Sequence, residues 1–451
     1  ALGVLSSAQP DQMVAARKDS PLIVGIGQGE NYIVSDIPAI LNLTRDVYLM
    51  QDGEIALLDK DTITFFDALD QPVEKEILHV DWEVAAAEKG GYEHFMMKEI
   101  MEQPKAVLET FRPRIKDGRF TLDGIQFEPD YLQNLAMVHL VACGSAYHAG
   151  RLGKDMVEQM LGIPAVADIA SEFRYRKPIL KPNHLVIIIS QSGETADTIA
   201  ALREAKARNA KTMAIVNVVG STIAREADYS LYTWAGPEIA VATTKGYTTQ
   251  VAALVLLCAY LAQERGQSNA AELANLQEQM LALPAVMEAV LQDHSDAQHI
   301  ASLYFNHKDA YFIGRGTDYC LSMEGCLKLK EISYIHSEAQ PAGELKHGTI
   351  SLITPGYLVI ALITNPALRE KTISNIQEVK ARGASVLAVC LQDDADIAPV
   401  ADHQLRVPWV KKELQPMLAI LPLQLLAYYI SALNGNDVDK PRNLAKSVTV
   451  E

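Results

Sequence analysis

The chain carries an internal duplication. Glu204–Val216 reads EAKARNAKTMAIV and Glu378–Cys390 reads EVKARGASVLAVC, an offset of 174 from Glu204 to Glu378. Upstream, Leu185-Val186-Ile187 matches Leu358-Val359-Ile360 at an offset of 173, and Cys143-Gly144-Ser145 stands against Arg315-Gly316-Thr317 at 172. Three matches in order at nearly constant spacing make the second half a tandem copy of the first. Within each copy, apolar strand candidates alternate with helical stretches. They are Val138–Ala142, Leu185–Ile189 and Thr212–Val216, then Ala310–Ile313, Leu358–Leu362 and Ser385–Val389. That alternation predicts α/β architecture: two doubly wound domains, each a parallel sheet covered by helices on both faces.

The copies diverge where chemistry would sit. In the first, Leu185–Ile189 suits a strand buried on both faces. Ile199, Ala200, Leu202 and Ala205 suit an amphipathic helix. Between them lie Ser190, Gln191, Ser192, Gly193, Glu194 and Thr195. A strand feeding a small polar turn that opens a helix aims backbone N–H groups and the helix dipole at one spot, where a phosphate fits. Plain helix capping by Ser and Thr is the alternative, and the residues alone leave both open. The second copy has Thr364-Asn365-Pro366 at this place, and the proline alters the loop.

The second copy instead carries a charged helix, MEGCLKLKEISYI at Met323–Ile335. Glu324, Lys328 and Glu331 follow i, i+4, i+7 spacing and share a face. A solvated stripe is the ordinary meaning of such a run. A glycine-bounded loop, Gly343–Gly348, then presents His347, and loop histidines are commonly structural. The tail Asp439–Glu451, DKPRNLAKSVTVE, has neither helical nor strand period. By itself it reads as a frayed end, with Lys446 as one more surface lysine.

Composition narrows the class. With 451 residues there is room for two or three domains with cores of their own. A net charge of −16 argues against a nucleic-acid partner, while leaving room for an anionic small molecule at one local positive site. Five dispersed cysteines without a CxxC pair read as reduced thiols of a cytoplasmic protein, and Cys258 and Cys390 lie in apolar runs as core residues. The longest apolar run, Val251–Ala262, is too short to span a bilayer, and Met417–Leu433 is interrupted by Pro422 and Gln424. No membrane partner is expected. No His/Cys/Asp cluster has ligand spacing, so neither metal nor organic cofactor is expected.

The first 80 residues differ from the rest. Leu22–Gly25, Tyr32–Ser35, Val47–Met50, Ile55–Leu58 and Thr62–Phe66 are short strand candidates, and Asp52-Gly53 is a hairpin signal between two of them. The segment reads as a partial β layer. Residues 81–130 read as a polar, partly helical connector, with Met96–Met101 and Lys105–Phe111 as helices.

Together SQSGETADT at Ser190–Thr198, EGCLKLKEISYIHSEAQPAGELKHG at Glu324–Gly348 and DKPRNLAKSVTVE at the end resemble the glutamine–fructose-6-phosphate aminotransferase family (glucosamine-6-phosphate synthases). The resemblance runs along essentially the whole chain. It implies two tandem sugar isomerase (SIS) domains, at 131–270 and 271–438, and a C-terminal tail, 439–451, over the active site. It also implies that residues 1–80 are the later part of an N-terminal-nucleophile glutaminase domain, joined through the linker 81–130.

The implied reaction adds glutamine-derived ammonia to fructose 6-phosphate and isomerises the product to glucosamine 6-phosphate. By resemblance Ser190, Gln191, Ser192 and Thr195 hold the sugar phosphate, with help from Ser145. His347 opens the sugar ring, a task for a group that gives and takes protons near neutral pH. Lys446 forms a Schiff base with the C2 carbonyl. Glu331 moves the proton between C1 and C2, oriented and tuned by Lys328 and Glu324. Val241 and Ala445 line the sugar through backbone atoms. The family also implies a homodimer in which the histidine crosses the interface.

Two departures stand out. Ala146 follows Ser145, where the family's phosphate turn carries a second hydroxyl. The chain begins Ala1-Leu2-Gly3, and no cysteine precedes Cys143, so the nucleophile of glutamine hydrolysis has no counterpart. The expectation is a chain that keeps the sugar isomerase half and does not hydrolyse glutamine, within a longer natural protein. An ammonia-using isomerase or deaminase is a second reading, and the glutaminase-like strands argue against it. A sugar-phosphate-sensing SIS regulator is a third. It would need the Ser190–Thr195 loop and have no use for Glu331, His347 and Lys446 together.

Overall fold

The structure is a computed structural model describing residues 1–18, 21–35, 38–40, 43–80 and 88–449. It divides into two compact units. The smaller takes residues 1–91 with 194–196 and 447–451, and the larger takes 92–193 and 197–446.

The smaller unit is two antiparallel sheets. Leu2–Ser6, Gln9–Ala16, Ile55–Leu58, Ile63–Phe66 and Pro72–Val73 pair in that order, and Asn31–Val34, Ile23–Ile26, Asp46–Leu49 and Leu78–His79 form the second sheet. Strand alternation sends Ala15, Ala56, Leu58 and Phe65 to one face of the first sheet, where they meet Val24, Ile33 and Tyr48 of the second. The Tyr48 and Phe65 rings touch edge to face, centroids 5.0 Å apart. The partial layer expected from the sequence is therefore a two-sheet sandwich. The first sheet's other face shows Leu2, Val4, Val14 and Ile55 to solvent.

The Asp52-Gly53 hairpin is overturned. Asp46–Leu49 pairs with Ile23–Ile26, whereas Ile55–Leu58 pairs with Gln9–Ala16 and Ile63–Phe66. Gly53 does turn the chain, at φ +87, but the turn hands it from one sheet to the other. The N-terminal hairpin Leu2–Ser6/Gln9–Ala16 was not among the expected strands.

The larger unit begins with helices Phe95–Met101 and Gln103–Phe111. Reading 81–130 as a linker is corrected for its described part: Met96, Ile100, Val107, Phe111 and Phe120 are buried and join the main core. Residues 81–87 lie outside the described residues. These helices belong to the larger unit because an apolar stripe at helical spacing has to be covered.

Each copy then builds a five-stranded parallel sheet. In the first the elements are β1 (Met137–Ala142), α1 (Gly144–Leu161), β2 (Ala165–Ile169), β3 (His184–Ser190), α2 (Ala196–Ala207), β4 (Lys211–Val216), β5 (Tyr229–Tyr232) and α3 (Lys245–Glu264). In the second they are β6 (Asp309–Gly314), α4 (Thr317–Ser333), β7 (His336–Pro341), β8 (Leu358–Ile363), α5 (Arg369–Lys380), β9 (Ser385–Leu391), β10 (His403–Val407) and α6 (Leu421–Leu433). The sheet orders are β2-β1-β3-β4-β5 and β7-β6-β8-β9-β10, the same doubly wound order twice. Every residue of β3 is buried, as a strand covered on both faces requires. In this order the chain reverses between the first and third strand of each sheet. Loops leaving their carboxyl ends face a common crevice, where ligands of such sheets bind.

Helix α1 of the first copy packs on α4 of the second, which brings the two copies' chemistry together. Lys245–Glu264 and Gln415–Leu433 are long and apolar enough to cross a membrane, and both are largely buried in the core. The second breaks at Ile420, with Pro422 in the first turn of α6, where its missing N–H costs no hydrogen bond.

Candidate active site

The anion loop is fixed by hydrogen bonds to its backbone. Ser190 Oγ accepts from Gly193 N at 3.0 Å, Gln191 O from Asn217 N at 3.1 Å, and Gly193 O from Ile223 N at 3.1 Å. Gly193 has φ +68, and a Cβ there would lie 2.1 Å from Ser221 Oγ. Only glycine fits both the left-handed backbone and that approach. Ser190, Gln191 and Ser192 thus stand at the carboxyl end of β3, directly ahead of α2. Thr195 follows in the chain and falls in the smaller unit.

The charged helix is not a solvated stripe. Glu324 and Lys328 are fully buried on α4, and Glu331 keeps 22% of its side chain exposed. Lys328 Nζ lies 2.5 Å from Glu331 Oε2 and 3.6 Å from Glu324 Oε1. Glu324 reaches the first copy, accepting from Ser145 Oγ at 2.9 Å and meeting His148 Nδ1 at 2.7 Å. Burial pushes its carboxyl up, but the Lys328 ammonium and the His148 and Ser145 contacts outweigh this and hold it below its ordinary value. Burial likewise works to lower the Lys328 ammonium, and Glu331 and Glu324 reverse the sign. Ser145 is therefore committed to Glu324, which places it at the seam between the copies.

Lys446 is held as firmly. Its Nζ donates to Glu238 Oε2 at 2.7 Å and to Ala240 O at 2.8 Å. Glu238, with no exposed side-chain surface, is itself fixed by Thr243 Oγ1 at 2.6 Å and by the N–H groups of Thr244 and Gly246, each at 2.9 Å. Burial would raise its carboxyl, but Lys446 and these donors pull it down to about 2. Glu99, from helix Phe95–Met101, accepts from Ile239 N at 2.5 Å and Ala240 N at 3.1 Å. Burial, with Glu238 beside it, pushes Glu99 up to about 8. Two neighbouring carboxyls are thus split into an ionised and a protonated one.

A Cβ on Gly246 would stand 2.9 Å from Glu238 Oε2 and 3.1 Å from Gln191 Cγ, so the lysine cradle abuts the anion loop. Glu238 also acts on Lys328 electrostatically, joining the cradle to the α4 charges. The root of the tail is tied down too. Asp439 accepts from Phe95 N and Met96 N, each at 2.9 Å, and its carbonyl accepts from Val241 N at 2.9 Å. Val241 is half-buried beside this anchor, and Ala445 is exposed next to Lys446.

His347 stands apart. It ends the short turn Glu344–His347, is exposed, and joins none of these contacts. Sequence reasoning missed Glu238, Glu99 and His148. His148 lies one helical turn after Ser145 on α1, and that i, i+3 spacing was the available signal.

The arrangement can hold an anion at one end, present an amine in the middle, and move protons along a buried carboxylate–ammonium train. Comparisons with known proteins give it a family. The SIS domain family matches residues 133–260 and 303–434. The glutamine–fructose-6-phosphate aminotransferase [isomerizing] of Caldanaerobacter subterraneus is 54% identical over all of this chain and 74% of its own length. The proteins of the same name from Clostridium tetani and Thermus thermophilus are 52% and 45% identical, again over 74% of theirs. Among solved structures, the C-terminal domain of glucosamine-fructose-6-phosphate aminotransferase from Francisella tularensis superposes with a TM-score of 0.74 at 37% identity, covering 78% of this chain and all of that one. The chain belongs to the glutamine–fructose-6-phosphate aminotransferase family.

Proposed function

We propose that this chain performs the sugar-phosphate half of glucosamine 6-phosphate synthesis, receiving ammonia derived from glutamine. The observation that carries this is the Lys446 amine, held beside the Ser190–Ser192 loop and coupled through Glu238 to the buried α4 train. The loop holds the phosphate of fructose 6-phosphate. Lys446 condenses with C2 of the open-chain ketose, and the resulting iminium draws electrons from the C1–C2 bond region. Glu331 takes the proton from one carbon and returns it to the other. Lys328 and Glu324 hold its position and charge.

His347 opens the ring from a second copy of the chain, which makes the working unit a homodimer. Its exposure and lack of intrachain partners among the described residues support that assignment. The five unpaired cysteines suit a reducing cytoplasm. A sensor of sugar phosphate would need the anion loop alone. The buried α4 train and the Lys446–Glu238 pair lie outside such a need.

The test is conversion of fructose 6-phosphate to glucose 6-phosphate with no nitrogen donor. The chain is expected to isomerise slowly, and Lys446→Ala and Glu331→Gln each to lose about a thousandfold or more, on the scale of removing a covalent or general acid–base catalyst. Tight binding without conversion by the intact chain, or full conversion by either variant, would refute these roles.

A further inference from the structure

We propose that Glu238 is a positioning residue that acts as counterion to the Lys446 nitrogen at both ends of Schiff-base formation. This rests on the reading of Lys446 as the Schiff-base lysine. Condensation takes a lysine ammonium and the C2 carbonyl to a protonated iminium and one water. Two protons and the carbonyl oxygen leave as water, and the nitrogen carries one positive charge before and after. A single fixed carboxylate can therefore serve both states without reorganising.

The geometry is built for that. Glu238 Oε1 is occupied by two backbone N–H groups at the start of α3, so the carboxylate cannot rotate away. Its Oε2 faces Lys446 Nζ at 2.7 Å and also accepts from the Thr243 hydroxyl at 2.6 Å. The side chain is excluded from solvent, so the pairing is little screened by salt. Charged groups near Glu238 among the described residues include Glu99 on helix Phe95–Met101, Lys245 at the start of α3 and Lys328 on α4. Among the described residues, none of these hydrogen-bonds Lys446. The Ala240 carbonyl, Lys446's second acceptor, is held in place because Glu99 takes the N–H groups of Ile239 and Ala240.

The function of this contact is to keep the imine protonated, since a neutral imine is a poor electron sink. Glu238→Gln preserves the shape and the Oε1 contacts but removes the charge. We expect fructose 6-phosphate affinity, measured calorimetrically, to stay within about twofold, kcat for isomerisation to fall about a hundredfold, and KM to change little. The alkaline limb of the kcat profile should move down by about one to three pH units, the usual effect of losing an opposite charge in contact. Borohydride trapping of the Lys446 adduct, read by peptide mass, should fall in parallel. Glu238→Asp, which keeps the charge but withdraws it, should recover the alkaline limb without recovering kcat. Thr243→Val should cost less than about fivefold.

Wild-type turnover and trapping by Glu238→Gln at an unshifted pH profile would overturn the proposal. If that variant fails to fold, an alkaline limb in Glu238→Asp displaced by about one to three pH units in spite of its retained carboxylate would overturn it instead. No trapping at Lys446 in the wild-type chain would refute the Schiff-base reading itself, a distinct failure.

Discussion

The two copies solve the same structural problem in opposite ways. In each, a loop follows the third strand in chain order and must satisfy its backbone at the mouth of the sheet. In the first copy that loop is SQSGET, and the residue after Ser145 on the neighbouring helix is Ala146, a methyl. In the second, the matching residue at the offset of 172 is Asp318, fully buried. Its carboxylate accepts from Thr364 Oγ1 at 2.6 Å, Thr364 N at 2.9 Å and Asn365 N at 3.1 Å. The second copy supplies its own carboxylate to this loop, and the first has no counterpart to it. On the proposed reading Ala146 is the absence of a competitor for the phosphate as well as the loss of a hydroxyl.

The helices diverged in the reverse sense. Glu324, Lys328 and Glu331 of α4 correspond at that offset to Leu152, Met156 and Gln159 of α1. Leu152 and Met156 are core residues. One copy has the SQSGET loop and the other the buried Glu324–Lys328–Glu331 charges, and the packing of α1 on α4 brings the two copies together. On the proposed reading neither copy is sufficient alone, and loss of either loop or helix is not rescued by its counterpart.

The comparison can be broken most directly by Ala146→Asp, which transplants the second copy's carboxylate into the first. The expected result is a rise in KM for fructose 6-phosphate of about a hundredfold, because a resident carboxylate both fills and repels the phosphate site. An unchanged KM would mean that the two loops are not equivalent.

The reciprocal change, Asp318→Ala, orphans two buried N–H groups and a hydroxyl. It should lower stability by about 2–4 kcal/mol, seen as a lower melting temperature. Millimolar inorganic phosphate should restore part of that loss in the variant, if the second loop remains a cradle for anions.

The smallest effect concerns the split carboxyls. Glu99, pushed up to about 8, contributes stability that is present below the ordinary carboxylate range and lost as pH rises towards 8. Glu324, held below its ordinary value, contributes stability present above that range and lost on acidification. Glu99→Gln should flatten, by about 1 kcal/mol per pH unit, the decline of the unfolding free energy in urea between the ordinary carboxylate range and pH 8. Glu324→Gln should flatten only the acid side.

Much of the larger unit was legible in the sequence. The three central strands of each sheet were found because strands buried on both faces are unbroken apolar runs. The edge strands β2, β5, β7 and β10 were not, because edges such as HSEAQP at His336–Pro341 mix polar residues and lack that signature. Asp52-Gly53 announced a turn correctly, but a local turn says nothing about which strands lie on either side of it. The connector was misread because its polar residues hid a stripe of Met96, Ile100, Val107 and Phe111.

At the site, the shared face of Glu324, Lys328 and Glu331 was visible as spacing. Its burial was not, since the covering helix lies more than a hundred residues away. Glu238 and Glu99 left no signal at all. An isolated glutamate in sequence is a surface residue by default, and only the fold reveals that backbone N–H groups converge on it.

Asp439 pins the start of the tail, and Lys446 is seven residues further along. Seven residues reach at most about 25 Å, so the amine explores a small volume even when it leaves Glu238. A tether that short gives its end group an effective concentration of about millimolar or higher. On the proposed reading the lysine is a leashed reagent. Any free amine offered to a Lys446→Ala chain would have to be present at comparable concentration before it could take the lysine's place.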